Sequence, residues 1–261
     1  SRRQRQMCIR DRYYTYDILA AFSALTRLPI WRIVTIPKEH YQRVVYYWSV
    51  VGWLTGPLTA LVILGLGQFL PVTLAVTIGF IFRILLTGGM HEDGLMDFFD
   101  GFGGGRTRER ILEIMKDSHS GAYAIIGFVS YAALWIGLLG WMPLEAAFYT
   151  VMVGDPISKF VASNLPRLLK YARNEESAKM KVVYEDRPHR GLFILAAHFG
   201  LLPISQWSPA GWWMLLFSAL TFGLLYLLMK RRVNGYTGDC LGATFLLCEV
   251  MSYLAVWIFI L

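Results

Sequence analysis

Residues 88–121 read GGMHEDGLMDFFDGFGGGRTRERILEIMKDSHSG and hold seven of the chain's 18 acidic side chains, set between two long apolar runs. At 100° per residue, Asp93, Asp97 and Asp100 fall at about 0°, 40° and −20° around a helix, so three carboxylates share one face. Such a face repels itself unless cations fill it. Hard divalent cations such as Mg2+ prefer carboxylate oxygens and are commonly held by one or two carboxylates together with substrate phosphates. The face therefore reads as a metal and diphosphate platform, with Asp93, Asp97 and Asp100 as candidate metal ligands and catalytic carboxylates. Gly94, Gly101, Gly103, Gly104 and Gly105 leave room for close backbone approach, and Arg106, Arg108 and Arg110 follow as candidate phosphate partners. His91 alone would more often be a surface or capping residue than a ligand; beside Asp93 it joins the candidate set. A merely solvated loop would explain neither the common face nor the glycines.

Around this stretch the chain is apolar. Its 261 residues are 56% hydrophobic and only 16% charged, with a mean hydropathy of +0.45, too little polar surface to cover a water-soluble globule. A bilayer span needs about 20 predominantly apolar residues. Seven such runs are present, at roughly 48–67, 71–87, 121–141, 144–166, 191–207, 210–229 and 239–261. The expected fold is all-α, a polytopic membrane bundle of about seven spans. The 16–28 segment, YDILAAFSALTRL, is too short to span and is expected as an N-terminal interfacial helix. Residues 13–261 are read as one integral membrane catalytic domain. Residues 1–12, SRRQRQMCIRDR, lack apolar periodicity and are read as a non-native or disordered leader; they account for much of the net charge of +7.

The connectors sort by charge. Arg27, Arg32, Lys38 and Arg43 precede the first run, Arg106 to Lys116 follow the second, Arg167 to Arg190 the fourth, and Lys230 to Arg232 the sixth. The turns around Gln68 to Pro71, Trp141 to Glu145 and Gln206 to Ala210 carry no Lys or Arg. The positive-inside rule then places every basic connector, the acidic stretch among them, in the cytoplasm. The localisation expected is a bacterial or archaeal cytoplasmic membrane. Cys8, Cys240 and Cys248 form no CxxC pair and suggest no disulfide framework.

Five further ionisable residues lie in or beside apolar runs. Asp155 and Lys159 are four apart, so an ion pair within one helix is available. Arg83 has the length to snorkel to the interface. Glu249 lies well inside the last run and needs a partner, for which Lys159 is the nearest cation in the apolar runs. Asp239, in the turn GYTGDCLGA at 235–243, is placed to cap the last helix, where free amides could also receive a phosphate.

Taken together, these segments resemble the cobalamin-5′-phosphate synthase family, whose members are also called adenosylcobinamide-GDP ribazoletransferases. The most specific match runs from His91-Glu-Asp93-Gly94 through Lys116-Asp117-Ser118 to Gly121, in the pattern HxDGxxDxxDGxGGGRxRERxLEIMKDSxxG. FSALTRLPI at 22–30, LPRLLKYAR at 165–173 and GYTGDCLGA support it, while GDPISK at 154–159 has no secure counterpart. The resemblance implies a Mg2+-dependent transferase joining adenosylcobinamide-GDP to α-ribazole or its 5′-phosphate, with release of GMP. It implies a substrate-binding role for Gly103, Gly104, Gly105, Arg106, Arg110, Lys116, Ser118 and Asp239, and puts His91 and Asp117 beside the aspartates as catalytic candidates. The expected partners are these small molecules and the lipid bilayer, not nucleic acid; a homo-oligomer is left open. Asp97-x-x-Asp100-Gly101 also matches part of the acidic signature of CDP-alcohol phosphotransferases, but the alanine-arginine continuation and the later DxxxD are missing. A metal- or proton-coupled transporter would need the same acids near the bilayer midplane, whereas this reading puts them in a cytoplasmic connection.

Overall fold

The computed structural model describes residues 2–172, 184, 190–207 and 209–261, with the side chains of 2–13 and 206 outside the description. Helix α1 (Arg2–Leu25) is followed by 3₁₀ turns at Ile30–Arg32 and Lys38–Tyr47. Then come α2 (Trp48–Leu66), α3 (Val72–Thr87), α4 (Met90–Gly104), α5 (Arg108–Ile114), α6 (Ala122–Gly140) and α7 (Leu144–Ala162). The short α8 (Leu165–Leu168), α9 (Arg190–Gln206), α10 (Ala210–Arg232) and α11 (Gly238–Phe259) complete the chain. The all-α expectation holds. Helices α2, α3, α6, α7, α9, α10 and α11 fall on the seven apolar runs.

Length and hydropathy single out some of these helices. Among the described residues, Lys38–Leu66, Ala122–Gly140, Ala210–Arg232 and Gly238–Phe259 are long and apolar enough to cross a membrane, and α3 with α4, bent by 94°, would make a fifth. Helix α9 is shorter, and α7 carries Glu145, Asp155 and Lys159. These helices make a multi-pass membrane protein; by length and hydropathy alone four of them qualify as spans among the described residues, five with the bent pair, and α7 and α9 are helices on the other two apolar runs. The basic positions Arg173, Lys179, Lys181 and Arg187 lie outside the described residues.

The bundle is apolar outside and partly polar within, as a lipid solvent demands. Leu85, Ile126, Leu134, Leu220 and Leu224 are exposed, whereas Arg83, Glu92, Asp155, Lys159 and Glu249 are buried. Small residues let helices close on one another. A Cβ at Gly52 would lie 2.7 Å from Pro156 Cα and one at Gly56 2.9 Å from Asp155 Cβ, so α2 meets α7 through a GxxxG stripe. The buried Asp17 fixes α1 to the Lys38–Tyr47 turn, accepting from His40 Nδ1 at 2.6 Å with Arg43 at 3.6 Å.

Candidate active site

The acidic stretch is a helix packed into the bundle rather than an open connection. Gly88 and Gly89 take φ of +76° and +70°, a left-handed pair that glycine accepts without strain and that makes the 94° bend from α3 into α4. Helix α4 buries His91, Glu92, Gly94, Leu95, Phe98, Asp100 and Gly101. Asp93 is exposed and Asp97 half-buried.

Helix α11 crosses α4 in the antiparallel sense at a contact made by two glycines. A Cβ on Gly94 would stand 3.0 Å from Asp239 Cα, and one on Gly242 would stand 3.1 Å from the His91 carbonyl oxygen. The capping expectation for Asp239 needs correcting. Thr237, extended at φ −122° and ψ 174°, is the N-cap, its Oγ1 accepting from the Cys240 amide, while Asp239 lies inside the first turn. The Thr237 hydroxyl also donates to Asp239 Oδ2 at 3.4 Å, which orients that carboxylate. Asp239 complements the positive helix end without closing it.

A cavity of about 120 Å3 opens at this crossing, lined by His91, Asp93 and Asp239 together with Trp48, Leu25 and Val45. The His91 ring lies 5.2 Å from those of both Trp48 and Phe245. Asp239, remote in sequence from His91 and Asp93, is thus their neighbour. A second cavity of about 420 Å3 is lined by Asp100, Gly104, Arg110 and Asp117. Asp100 caps α6 from there: its Oδ2 accepts from the Gly121 amide at 2.5 Å and its Oδ1 from the Ala124 amide at 2.8 Å.

The remaining expected residues are placed individually. A Cβ at Gly103 would meet the Tyr123 ring at 2.7 Å and one at Gly105 would meet Ile111 at 2.5 Å, so both serve helix packing. Arg108 is spent on carbonyls, Nε donating to Val233 at 2.8 Å and Nη2 to Ala172 at 3.0 Å. The exposed Arg110 pairs with Glu113 at 2.7 Å. Arg106, Lys116 and Ser118 are exposed. Asp117 accepts from the amide and ring of His119, bonds that hold its carboxyl below the usual aspartate range. LPRLLKYAR and GYTGDCLGA meet through Ala172 N donating to the Tyr236 carbonyl at 2.8 Å and Tyr236 N donating to that of Lys170 at 3.0 Å.

Behind the cavity lies a buried ionic layer. Arg83 is inside rather than snorkelled: it pairs with Glu249 of α11, reaches Glu92 of α4 at 3.4 Å and donates to Tyr131 of α6. Trp135 Nε1 donates to Glu249 at 3.2 Å. Glu249's partner is therefore Arg83, not Lys159, which pairs with Asp155 at 2.5 Å as its spacing allowed and also donates to Thr55. Snorkelling would leave two carboxylates buried without a cation, far costlier than burying the guanidinium among them. Glu92, Tyr131, Trp135 and Thr55 are partners that the sequence did not single out; Thr55, Tyr131 and Trp135 lie on helices with no charged residue, so only contacts between helices reveal their role.

The donor set suits a hard cation. Asp93 and Asp239 offer carboxylates to one cavity, and Asp97 lies one turn from Asp93 on the same helix. No group of three His, Cys, Asp or Glu is gathered for a metal among the described residues. A cation held there by one or two carboxylates would take the rest of its shell from phosphate oxygens and water.

The comparisons with known proteins agree with this picture. The family model described as cobalamin-5-phosphate synthase matches residues 17–257. An adenosylcobinamide-GDP ribazoletransferase of Shewanella sp. (strain W3-18-1) is 36% identical over 92% of this chain and 93% of its own. Proteins of that name from Shewanella oneidensis and Shewanella baltica (strain OS185) are 35% and 34% identical over about nine-tenths of both chains. No solved structure shows a significant match. The chain belongs to the cobalamin-5-phosphate synthase family.

Proposed function

We propose that the protein is an adenosylcobinamide-GDP ribazoletransferase acting in a late step of cobalamin biosynthesis, with the α4–α11 crossing as its reaction centre. The observation that carries this is the meeting of Asp93 and Asp239 in one cavity, brought there by the two segments that the sequence shares with the family. A ribose hydroxyl of the acceptor attacks the phosphorus on the cobinamide side of the diphosphate. A new phosphorus–oxygen bond forms, the bond to the bridging oxygen breaks, and GMP leaves with that oxygen. Asp93 or Asp239 accepts the hydroxyl proton, so atoms and charge balance.

Catalysis of phosphoryl transfer is mostly positioning and charge neutralisation. Asp93, Asp97 and Asp239 would hold Mg2+, which when bound supplies charge stabilisation at the diphosphate. We assign Asp100 instead to the start of α6, since both of its oxygens already accept amides. Arg106 and Lys116, exposed beyond α4, would neutralise the guanosine-side phosphate. The positive-inside rule, applied to Arg106, Arg108, Arg110 and Lys116 beside this face, supports a cytoplasmic reaction centre in a bacterial or archaeal cytoplasmic membrane. The test is GMP release from adenosylcobinamide-GDP by protein in nanodiscs, with and without α-ribazole 5′-phosphate or α-ribazole. Release that requires the acceptor is expected; release that ignores it would refute the assignment.

A further inference from the structure

We infer that the cavity at the α4–α11 crossing is the acceptor subsite, taking an aromatic riboside whose base carries one unsubstituted ring nitrogen, with Trp48 and His91 as its recognition residues. This rests on the transferase reading above and adds where, and by which groups, the base is held. The first observation is polar. Trp48 Nε1 and His91 Nε2 are buried and have no hydrogen-bond partner among the described residues, although Trp48 is 2% and His91 3% exposed. A buried polar atom without a partner costs about 1–3 kcal/mol, so two on neighbouring rings that line one cavity call for a ligand that satisfies both.

Their chemistry differs in a useful way. An indole N–H only donates, so Trp48 selects an acceptor, whereas an imidazole nitrogen donates or accepts according to tautomer and so pairs with a hydroxyl in either state. A benzimidazole riboside offers both groups, an unsubstituted ring nitrogen and ribose hydroxyls.

The second observation is the wall. Leu25, Val45, Trp48 and Leu241 line the cavity, and the Trp48 and His91 rings lie 5.2 Å apart. Its volume of about 120 Å3 is on the order of ten times what one water needs, which suits a bicyclic aromatic system. Asp93 and Asp239 line the same space. A base seated against Trp48 with its ribose toward His91 thus presents its hydroxyls where the reaction needs them.

Two measurements test this on the whole protein in nanodiscs. Equilibrium dialysis compares benzimidazole, which has an acceptor nitrogen, with indole, which has none. Wild type should prefer benzimidazole, and Trp48→Phe, which keeps an aromatic ring but removes the donor, should erase the preference. Steady-state kinetics should show Trp48→Phe raising the KM for α-ribazole about three- to tenfold, the scale of one lost hydrogen bond, without moving the KM for adenosylcobinamide-GDP. Benzimidazole should compete with α-ribazole. Equal binding of benzimidazole and indole by wild type would overturn the proposal, as would competition against adenosylcobinamide-GDP instead. A wild-type protein that releases no GMP would remove the transferase reading, while the dialysis comparison would still decide the subsite.

Discussion

Gly94 of α4 touches the backbone of Asp239 of α11: a Cβ on Gly94 would stand 3.0 Å from Asp239 Cα and 3.2 Å from its carbonyl oxygen. This contact sets the distance between the two helices that carry the proposed reaction centre. Backbone cannot swing aside as a long side chain can. Gly94→Ala should therefore lower stability by about 1–3 kcal/mol through overpacking, less up to about 1 kcal/mol returned by helix propensity, and should reduce turnover. Gly223→Ala, in α10 with nothing within 4 Å of its Cβ, should be neutral or stabilising. Thermal unfolding of both variants in one detergent, with GMP release alongside, makes the comparison. Equal behaviour of the two alanines would show that the crossing is not sterically fixed.

The end of α11 separates capping from chemistry. Thr237→Ala removes the hydroxyl that accepts the Cys240 amide and should cost about 1 kcal/mol. Asp239→Asn leaves that cap in place and gives up only the charge at the helix end, so it should cost no more than about 1 kcal/mol of stability while activity falls. Retained turnover in the Asn variant would confine Asp239 to a structural role.

Arg83 should be the most expensive of the buried cations to remove. Arg83→Met leaves Glu249 without its cation and should cost about 3–5 kcal/mol. Arg83→Met with Glu249→Leu replaces the pair by apolar groups and should recover part of that loss, with Glu92 still unsatisfied. Chemical unfolding of the single and double variants gives the answer, and a double variant no better than Arg83→Met would show that the stranded Glu249 is not the source of the loss.

Asp117 provides a pH signature in the loop before α6. The His119 amide and ring hold its carboxyl below the ordinary value of 3.8. A depressed folded value contributes stability that is fully present above 3.8 and is lost as the pH falls through the folded value. His119→Ala removes the ring bond and keeps the amide bond, so the Asp117 titration, followed by carbon NMR, should move partway back toward the ordinary value. An unchanged midpoint would assign the whole shift to the amide.

The sequence made helix positions legible because lipid imposes a single strong rule, a long apolar run, and α2, α3, α6, α7, α9, α10 and α11 fall where those runs lie. It made the Asp155–Lys159 pair legible because i,i+4 geometry is local. Partners across helices were not legible: Glu249 could be read as needing a cation, but whether Arg83 or Lys159 supplied it depends on which faces of α3, α7 and α11 meet. The three-aspartate face of α4 was read from its period, yet tertiary contact divides it. Asp100 turns to the start of α6, whereas Asp93 joins Asp239 of α11, a residue whose type and position had suggested a cap until Thr237 proved to hold that place.

The division of that acidic face is the centre of the account, and one assay tests it most directly: GMP release from adenosylcobinamide-GDP and α-ribazole by Asp93→Asn in nanodiscs, beside the parent. Asn keeps the size of the side chain and removes its charge at an exposed position, so folding should be untouched. The account predicts a fall in turnover of about a hundredfold or more, the scale on which a charge-stabilising group is lost. Turnover equal to the parent's would contradict it.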